Sequence, residues 1–197
     1  MQRKLVKQRK SDYPIDSLFI NRWSPRALSG ESMSDEELFI LFEAARWAPS
    51  SYNGQPWRFI YAKRETPAWQ TIFDLMVPFN QSWAKNAAVL VVVISRNKFE
   101  FNGKPEKTHS YDTGAAWQNL SLQAHLSGIV AHGMEGFDYE RAKKVLAIPD
   151  DYTVEAMIAL GKPGNVKDLP AELQEKEVLS DRKTVKEIAF EGKFKGS

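Results

Sequence analysis

Four short stretches carry the side chains best suited to chemistry. In Arg22-Trp23-Ser24-Pro25-Arg26, two arginines flank a serine just before a proline stop. Guanidinium forks match phosphate oxygens, so the stretch fits an anion site, and it fits a solvated basic turn equally well. Between the rigid residues Pro49 and Pro56 sit Ser50, Ser51, Asn53 and Gln55. A connection needs fewer hydrogen-bonding groups than this, and loops held by a scaffold often bind ligands. Gly133-Met134-Glu135-Gly136-Phe137 is a glycine-flanked turn with exposed backbone, and Arg182-Lys183 is a late basic pair. These parts suit a ligand with a phosphate at one end and a planar hydrogen-bonding group at the other.

Other chemistries are set aside on residue type and spacing. The chain has no cysteine, which removes disulfides, thiolate metal sites and thiol catalysis. His109, His125 and His132 have no i, i+4 relation, so zinc is not expected. There is no G-x-G-x-x-G, and Gly161-Lys162 runs into Pro163 without the earlier glycine of a P-loop. No G-x-S-x-G elbow is present. With a net charge of only +2, no global field draws nucleic acid. The longest apolar run, from Ala87 to Ile94, is far short of the ~20 residues of a membrane helix. The first thirteen residues are basic (Arg3, Lys4, Lys7, Arg9, Lys10) with no apolar stretch behind them, which reads as a mobile solvated tail rather than a secretory signal. A cytoplasmic protein with neither nucleic acid nor membrane as partner is expected.

The elements that must position these residues follow from periodicity. A short helix from Pro14 to Asn21 leads into the first arginine stretch. Ser34 and Glu37 form a capping box, and Leu38, Leu41, Phe42 and Ala45 recur at helical spacing up to Pro49. Trp57 to Ala62 alternates as a strand. Thr66-Pro67 opens a helix to about Met76, after which Pro78 interrupts. Ala87 to Ile94 is apolar on both faces and predicts a central buried strand. A long helix from Thr108 to Ser127 has no clean polar face, which predicts burial on several sides, against a subunit partner or a domain core. A strand from Ile129 to His132, a helix from Asp138 to Leu146 and a strand from Tyr152 to Leu160 follow. Lys162 to Lys176 is charged and proline-rich, and could wrap a partner. Helices alternating with strands in a chain of 197 residues argue one α/β or α+β layered domain around one sheet.

Flavin mononucleotide (FMN) has the two-ended shape that the four stretches suit. The chain resembles the nitroreductase family of FMN-dependent enzymes over about Leu18 to Phe190. Arg22 to Arg26 resembles that family's R-x-S-x-R/K segment, and Ala48 to Trp57 its A-P-S-x-x-N-x-Q-P-W loop. Asn80, the helix segment Asp112 to Leu120, the turn Gly133 to Phe137, the strand exit Ile158 to Pro163 and the pair Arg182-Lys183 follow in the family's order.

The resemblance implies an α+β three-layer sandwich with a central mixed sheet. It also implies an intertwined homodimer with exchanged C-terminal segments and two FMN sites at the interface. Arg22, Ser24, Arg182 and Lys183 would hold the phosphate and ribityl chain, with Arg26 near the N1/O2 edge of the ring. Asn80 would bind the ring edge, and the backbone N–H of Glu135 or Gly136 would face N5, with Gly133 and Met134 beside it. Pro49, Ser50, Ser51, Asn53 and Gln55 would come from the other subunit, some reaching the flavin and others fixing the loop. Trp23 stands where many relatives are basic or small, and Trp83 where some have a lysine near the flavin. The implied reaction is ping-pong, NAD(P)H to FMN to a nitroaromatic, quinone or similar acceptor, with no protein general acid assigned. Dehalogenation, flavin breakdown or flavin binding without turnover are the alternatives on the same scaffold.

Overall fold

The longest apolar run of the chain lies in the middle of its sheet. In the computed structural model, which describes residues 9–196, β2 (Val89–Arg96) is buried from Val89 to Ser95. Successive side chains of a strand point to opposite faces. Accordingly Leu90, Val92 and Ile94 enter one core, and Val89, Val91 and Val93 enter a second. β1 (Trp57–Lys63) pairs with one edge of β2 and β4 (Tyr152–Gly161) with the other, and β3 (Val130–Met134) pairs with β4.

All pairings among these strands are antiparallel, which corrects the expected mixed sheet. β2 and β3 do run the same way, as a helical crossover dictates, but β4 is inserted between them. Every neighbouring pair is thereby antiparallel.

Helices cover both faces, giving the expected three layers. α2 (Asp35–Arg46) and α5 (His109–Leu126) pack on one face through Leu38, Leu41, Ala45, Ala116, Leu120 and Ala124. The other face carries α3 (Pro67–Phe73), α4 (Pro78–Ala84), α6 (Tyr139–Val145) and α7 (Ala171–Gln174), through Ile72, Trp83, Ala142 and Leu173 among others. α1 (Ser17–Asn21) precedes the arginine stretch, and α8 (Val185–Ile188) follows Arg182-Lys183. The capping box at Ser34 and Glu37 is complete, and Asp138 caps α6 by accepting from the Arg141 N–H.

Two elements differ from expectation. Pro78 starts a helix instead of interrupting one, because proline needs no N–H in a first turn. The charged stretch after Gly161 is docked on its own chain, with Leu169 and Leu173 buried and Gln174 Nε2 donating to the Leu169 carbonyl at 2.9 Å. Few large apolar residues suffice when each one is buried. α5 packs against both the sheet and α2, and the single chain leaves its Tyr111 and Leu126 exposed at 81% and 66%.

A strap holds the arginine stretch in place. Gly164 N–H donates to the Ala27 carbonyl at 2.8 Å, and Ser29 N–H donates to the Lys162 carbonyl at 3.0 Å. A Cβ at Gly164 would lie 2.4 Å from the Leu28 carbonyl carbon, so only glycine allows this approach. Among the described residues, no helix is long and apolar enough to cross a membrane.

Candidate functional site

The strap delivers Arg22 to Arg26 to the edge of the sheet beside β3, where three adjoining cavities share Arg22. One, of about 520 Å³, is lined by Arg9, Arg22, Arg26 and Arg182, together with Ser24, His132, Glu175 and Lys176. Cations outnumber carboxylates on that wall. Burial lowers the pKa of Arg22, and Arg9 and Arg182 lower it further by repulsion; Arg9 is lowered by burial and by Arg182, against the opposing charge of Asp181. Crowding like charges in a half-buried cleft is unfavourable without a ligand, and an anion relieves it.

Arg26 is held by its backbone. Its N–H and that of Ala27 both donate to Glu177 Oε1, at 2.8 and 2.9 Å. The side chain lines the cavity, and its Nε is buried with no hydrogen-bond partner. A buried donor left unpaired costs free energy, so a ligand acceptor is the natural completion of this site. Arg22 Nη1 donates to Ser24 Oγ at 3.2 Å, and Arg182 Nη1 donates to Ser180 Oγ at 2.9 Å. Lys183 faces a neighbouring apolar cleft with Tyr13, Phe19 and Val185, one side chain away through the shared Arg182. Trp23 lines the arginine cavity and, with Pro25 and Ile129, a smaller one.

The second large cavity, about 530 Å³, continues from Arg22 and Ser24 across Gly133, Met134 and Glu135 to Trp117, Gln118, Tyr139 and Glu155. Gly133 and Met134 belong to β3, so the turn expected from Gly133 begins at Glu135; the strand simply extends two residues further. Gly136 is boxed in, since a Cβ there would meet Asn80 Nδ2 at 2.8 Å. Asn80 Nδ2 donates to the Gly136 carbonyl at 3.0 Å, and Asn80 Oδ1 accepts from the Trp83 indole at 3.4 Å. Asn80 therefore pins the turn to α4. Trp83, expected beside the cofactor, is a core side chain at 1% exposure, because α4 turns it inward onto His132 at a ring separation of 4.6 Å.

Pro49 to Gln55 lies elsewhere. None of its residues lines the cavities that share Arg22. It is built tightly: Ser51 N–H donates to Asp112 Oδ2 at 2.9 Å, and Gln55 N–H to Ser50 Oγ at 3.0 Å. Gln55 Nε2 donates to the Asn53 carbonyl at 3.2 Å. Tyr52, Asn53 and Gln55 all have left-handed backbone, at φ 50°, 55° and 46°. Three non-glycine residues in that region within four positions store strain of a kind found at functional loops.

Sequence reasoning missed Arg9, His132 and Glu155. Arg9 belongs in sequence to the basic tail, but it donates to the carbonyls of Ser180, Ile20 and Arg22 at 2.8, 2.9 and 2.9 Å, tying the early arginine stretch to the segment before Arg182. Arg3, Lys4 and Lys7 lie outside the described residues. His132 Nδ1 is 3.0 Å from the Pro25 carbonyl, to which it donates in its neutral form. Burial, with Arg26 and Arg22 nearby, pushes its pKa down to about 4. Its position on a β-strand facing a future cavity left no local signal.

An arginine-lined cavity thus shares Arg22 and Ser24 with a glycine-edged one, at the side of a helix-covered antiparallel sheet, as in an α+β layered enzyme fold. The chain belongs to the nitroreductase family, whose model matches residues 20–67 and 62–162. It is 30% identical over 161 residues to an Archaeoglobus fulgidus protein provisionally named NADH dehydrogenase/NAD(P)H nitroreductase, covering 77% of this chain and 86% of that one. It is 28% identical over 166 residues to a Helicobacter acinonychis protein named oxygen-insensitive NADPH nitroreductase, covering 66% and 78%. A crystal structure described as an oxidoreductase containing FMN superposes with a TM-score of 0.92 at 47% identity, over 96% of this chain and 97% of that one. A provisionally named nitroreductase in complex with FMN, from Desulfovibrio desulfuricans, superposes with a TM-score of 0.72 at 25% identity, over 94% and 100%.

Proposed function

We propose that the chain is an FMN-dependent oxidoreductase. It takes electrons from NAD(P)H and passes them, by a ping-pong sequence, to nitroaromatics, quinones or related small acceptors. It acts as a cytoplasmic homodimer with a flavin at each subunit interface. The observation that carries this reading is the unpaired, buried Nε of Arg26 in a cavity walled by Arg9, Arg22 and Arg182.

The residues fit the group. Arg22, Ser24 and Arg182 would hold the phosphate and ribityl chain, joined by Arg9 and with Lys183 adjacent. Arg26 would meet the N1/O2 edge of the ring, where a fixed cation stabilises the negative charge of the reduced form. The N–H of Glu135 or Gly136 would face N5, beside Gly133 and Met134, with Asn80 acting on the ring edge through its hold on Gly136. When bound, FMN supplies the hydride chemistry itself, and the protein supplies position and electrostatics.

Pro49, Ser50, Ser51, Asn53 and Gln55 would serve the partner's flavin. Their absence from this chain's own arginine cavities supports that reading. Exposed Trp47 and Tyr111 near the loop, and exposed Ile188 and Phe194 in the C-terminal segment, support a paired face and C-terminal exchange.

The test is a visible spectrum of the purified protein, followed by anaerobic NAD(P)H. A yellow protein that bleaches is expected. A colourless protein that cannot be reconstituted with FMN overturns the proposal.

A further inference from the structure

At the far end of the glycine-edged cavity, three groups from three elements meet. Ser95, on β2, is wholly buried, and its Oγ lies 2.7 Å from His109 Nδ1. The same hydroxyl donates to Glu155 Oε1. His109, the first residue of α5, is itself 3.5 Å from Glu155. Ser110 Oγ also donates to Glu155 Oε1, at 2.7 Å.

A local irregularity aims Glu155 at this cluster. β4 pairs Ala156 with Val93 and Val154 with Ile94, so Glu155 is the extra residue of a β-bulge. Bulges re-aim side chains and recur beside active sites. Glu155 lines the cavity that also contains Arg22, Ser24, Met134 and Glu135, whereas His109 does not.

Hydrogen-bond arithmetic gives the cluster two arrangements. A serine hydroxyl has one proton to donate. Either Ser95 donates to an ionised Glu155 while His109 Nδ1–H donates to Ser95, or a protonated Glu155 donates to Ser95 while Ser95 donates to a bare Nδ1. Passing from the first to the second moves one proton from His109 to Ser95 and one from Ser95 to Glu155.

We infer that Ser95 relays protons from His109 to Glu155, and that Glu155 delivers them to an electron acceptor bound in the cavity. The inference rests on the oxidoreductase reading above. A quinone becomes a hydroquinone by taking one hydride and one proton. The hydride, with its electron pair, comes from the reduced flavin of that reading and leaves a hydroquinone monoanion. The proton comes from Glu155 and neutralises the remaining phenolate oxygen. Glu155 is then reloaded through Ser95 from His109, and His109 from water. Other ionisable groups face the chain of protons. Glu106, with Asp112 behind it, acts on His109, and Tyr139 and Glu135 lie on the cavity side of Glu155.

The test compares two acceptors in full-length protein loaded with FMN. A quinone needs the proton; ferricyanide takes electrons alone. In Glu155→Gln and Ser95→Ala, the ratio of quinone to ferricyanide turnover should fall by about a hundredfold or more, the lower end of general-acid effects. Proton NMR of the FMN-free protein gives an independent readout: a downfield hydrogen-bonded proton in wild type that both variants lose. Equal loss with both acceptors, or an unchanged NMR spectrum in both variants, overturns the relay. Failure of wild type to reduce even ferricyanide would instead overturn the oxidoreductase reading.

Discussion

The arginine cavity and the loop from Pro49 to Gln55 are built on opposite principles. The cavity is assembled from distant pieces of one chain: Arg9, the Arg22–Arg26 stretch, His132 and Arg182. Among the described residues, its wall leaves one buried donor, Arg26 Nε, without a hydrogen-bond partner. The loop is local and strained, and its backbone is tied to its own side chains and to Asp112. It faces none of the chain's own arginine cavities. The cavity holds a buried donor with no partner, and the loop holds strained backbone away from the cavities that share Arg22. The site proposed above, split between two subunits, would account for both.

The largest expected effect strikes the cavity side alone. Gly164→Ala places a Cβ 2.4 Å from the Leu28 backbone, so the strap must shift. We expect a loss of about 3 kcal/mol in chemical denaturation, together with loss of FMN retention. The bonds of the loop should persist, and intact FMN retention would break the contrast.

The two regions should also respond oppositely to pH. His132 has a folded pKa of about 4 against an ordinary 6.5. A depressed folded pKa gives stability that is present above pH 6.5 and lost as pH falls toward 4. The full loss is about 3 kcal/mol, at 1.36 kcal/mol per unit. Substituting His132→Gln should flatten this acid limb of a denaturation–pH profile.

Beneath the loop the sign reverses. Glu106 is 2% exposed, its Oε1 has no partner, and burial followed by the charge of Asp112 raises its pKa. A raised folded pKa favours the folded state in acid and loses that benefit as pH rises. Glu106→Gln should therefore stabilise the protein at pH 7 by about 1 kcal/mol, with the gain vanishing toward pH 4. A destabilised variant would show that the carboxylate has a partner in the assembled protein.

How much of this was legible beforehand depended on the range of the interactions. The capping box at Ser34, the buried strand at β2 and the cap at Asp138 follow from residues a few positions apart, and each stands where the sequence places it. Arg22, Ser24 and Arg26 were visible because they are consecutive in a short stretch. The inward turn of Trp83 depends on a helix that opens at Pro78. The reach of Arg9 across to Ser180 spans 171 positions of sequence. The insertion of β4 between β2 and β3 has no local signature either. Glu155 was hidden because its role comes from a bulge, which shows only in the pairing register.

The split site is tested most directly by complementation. One subunit carries Arg22→Ala with Arg26→Ala, and its co-expressed, differently tagged partner carries Ser50→Ala with Asn53→Ala. Each homodimer should lose its FMN. If the loop serves the partner's flavin, the purified heterodimer has one intact site and retains about half the wild-type FMN per chain. A heterodimer as empty as the two homodimers would place loop and arginines in the same subunit's site and contradict the account.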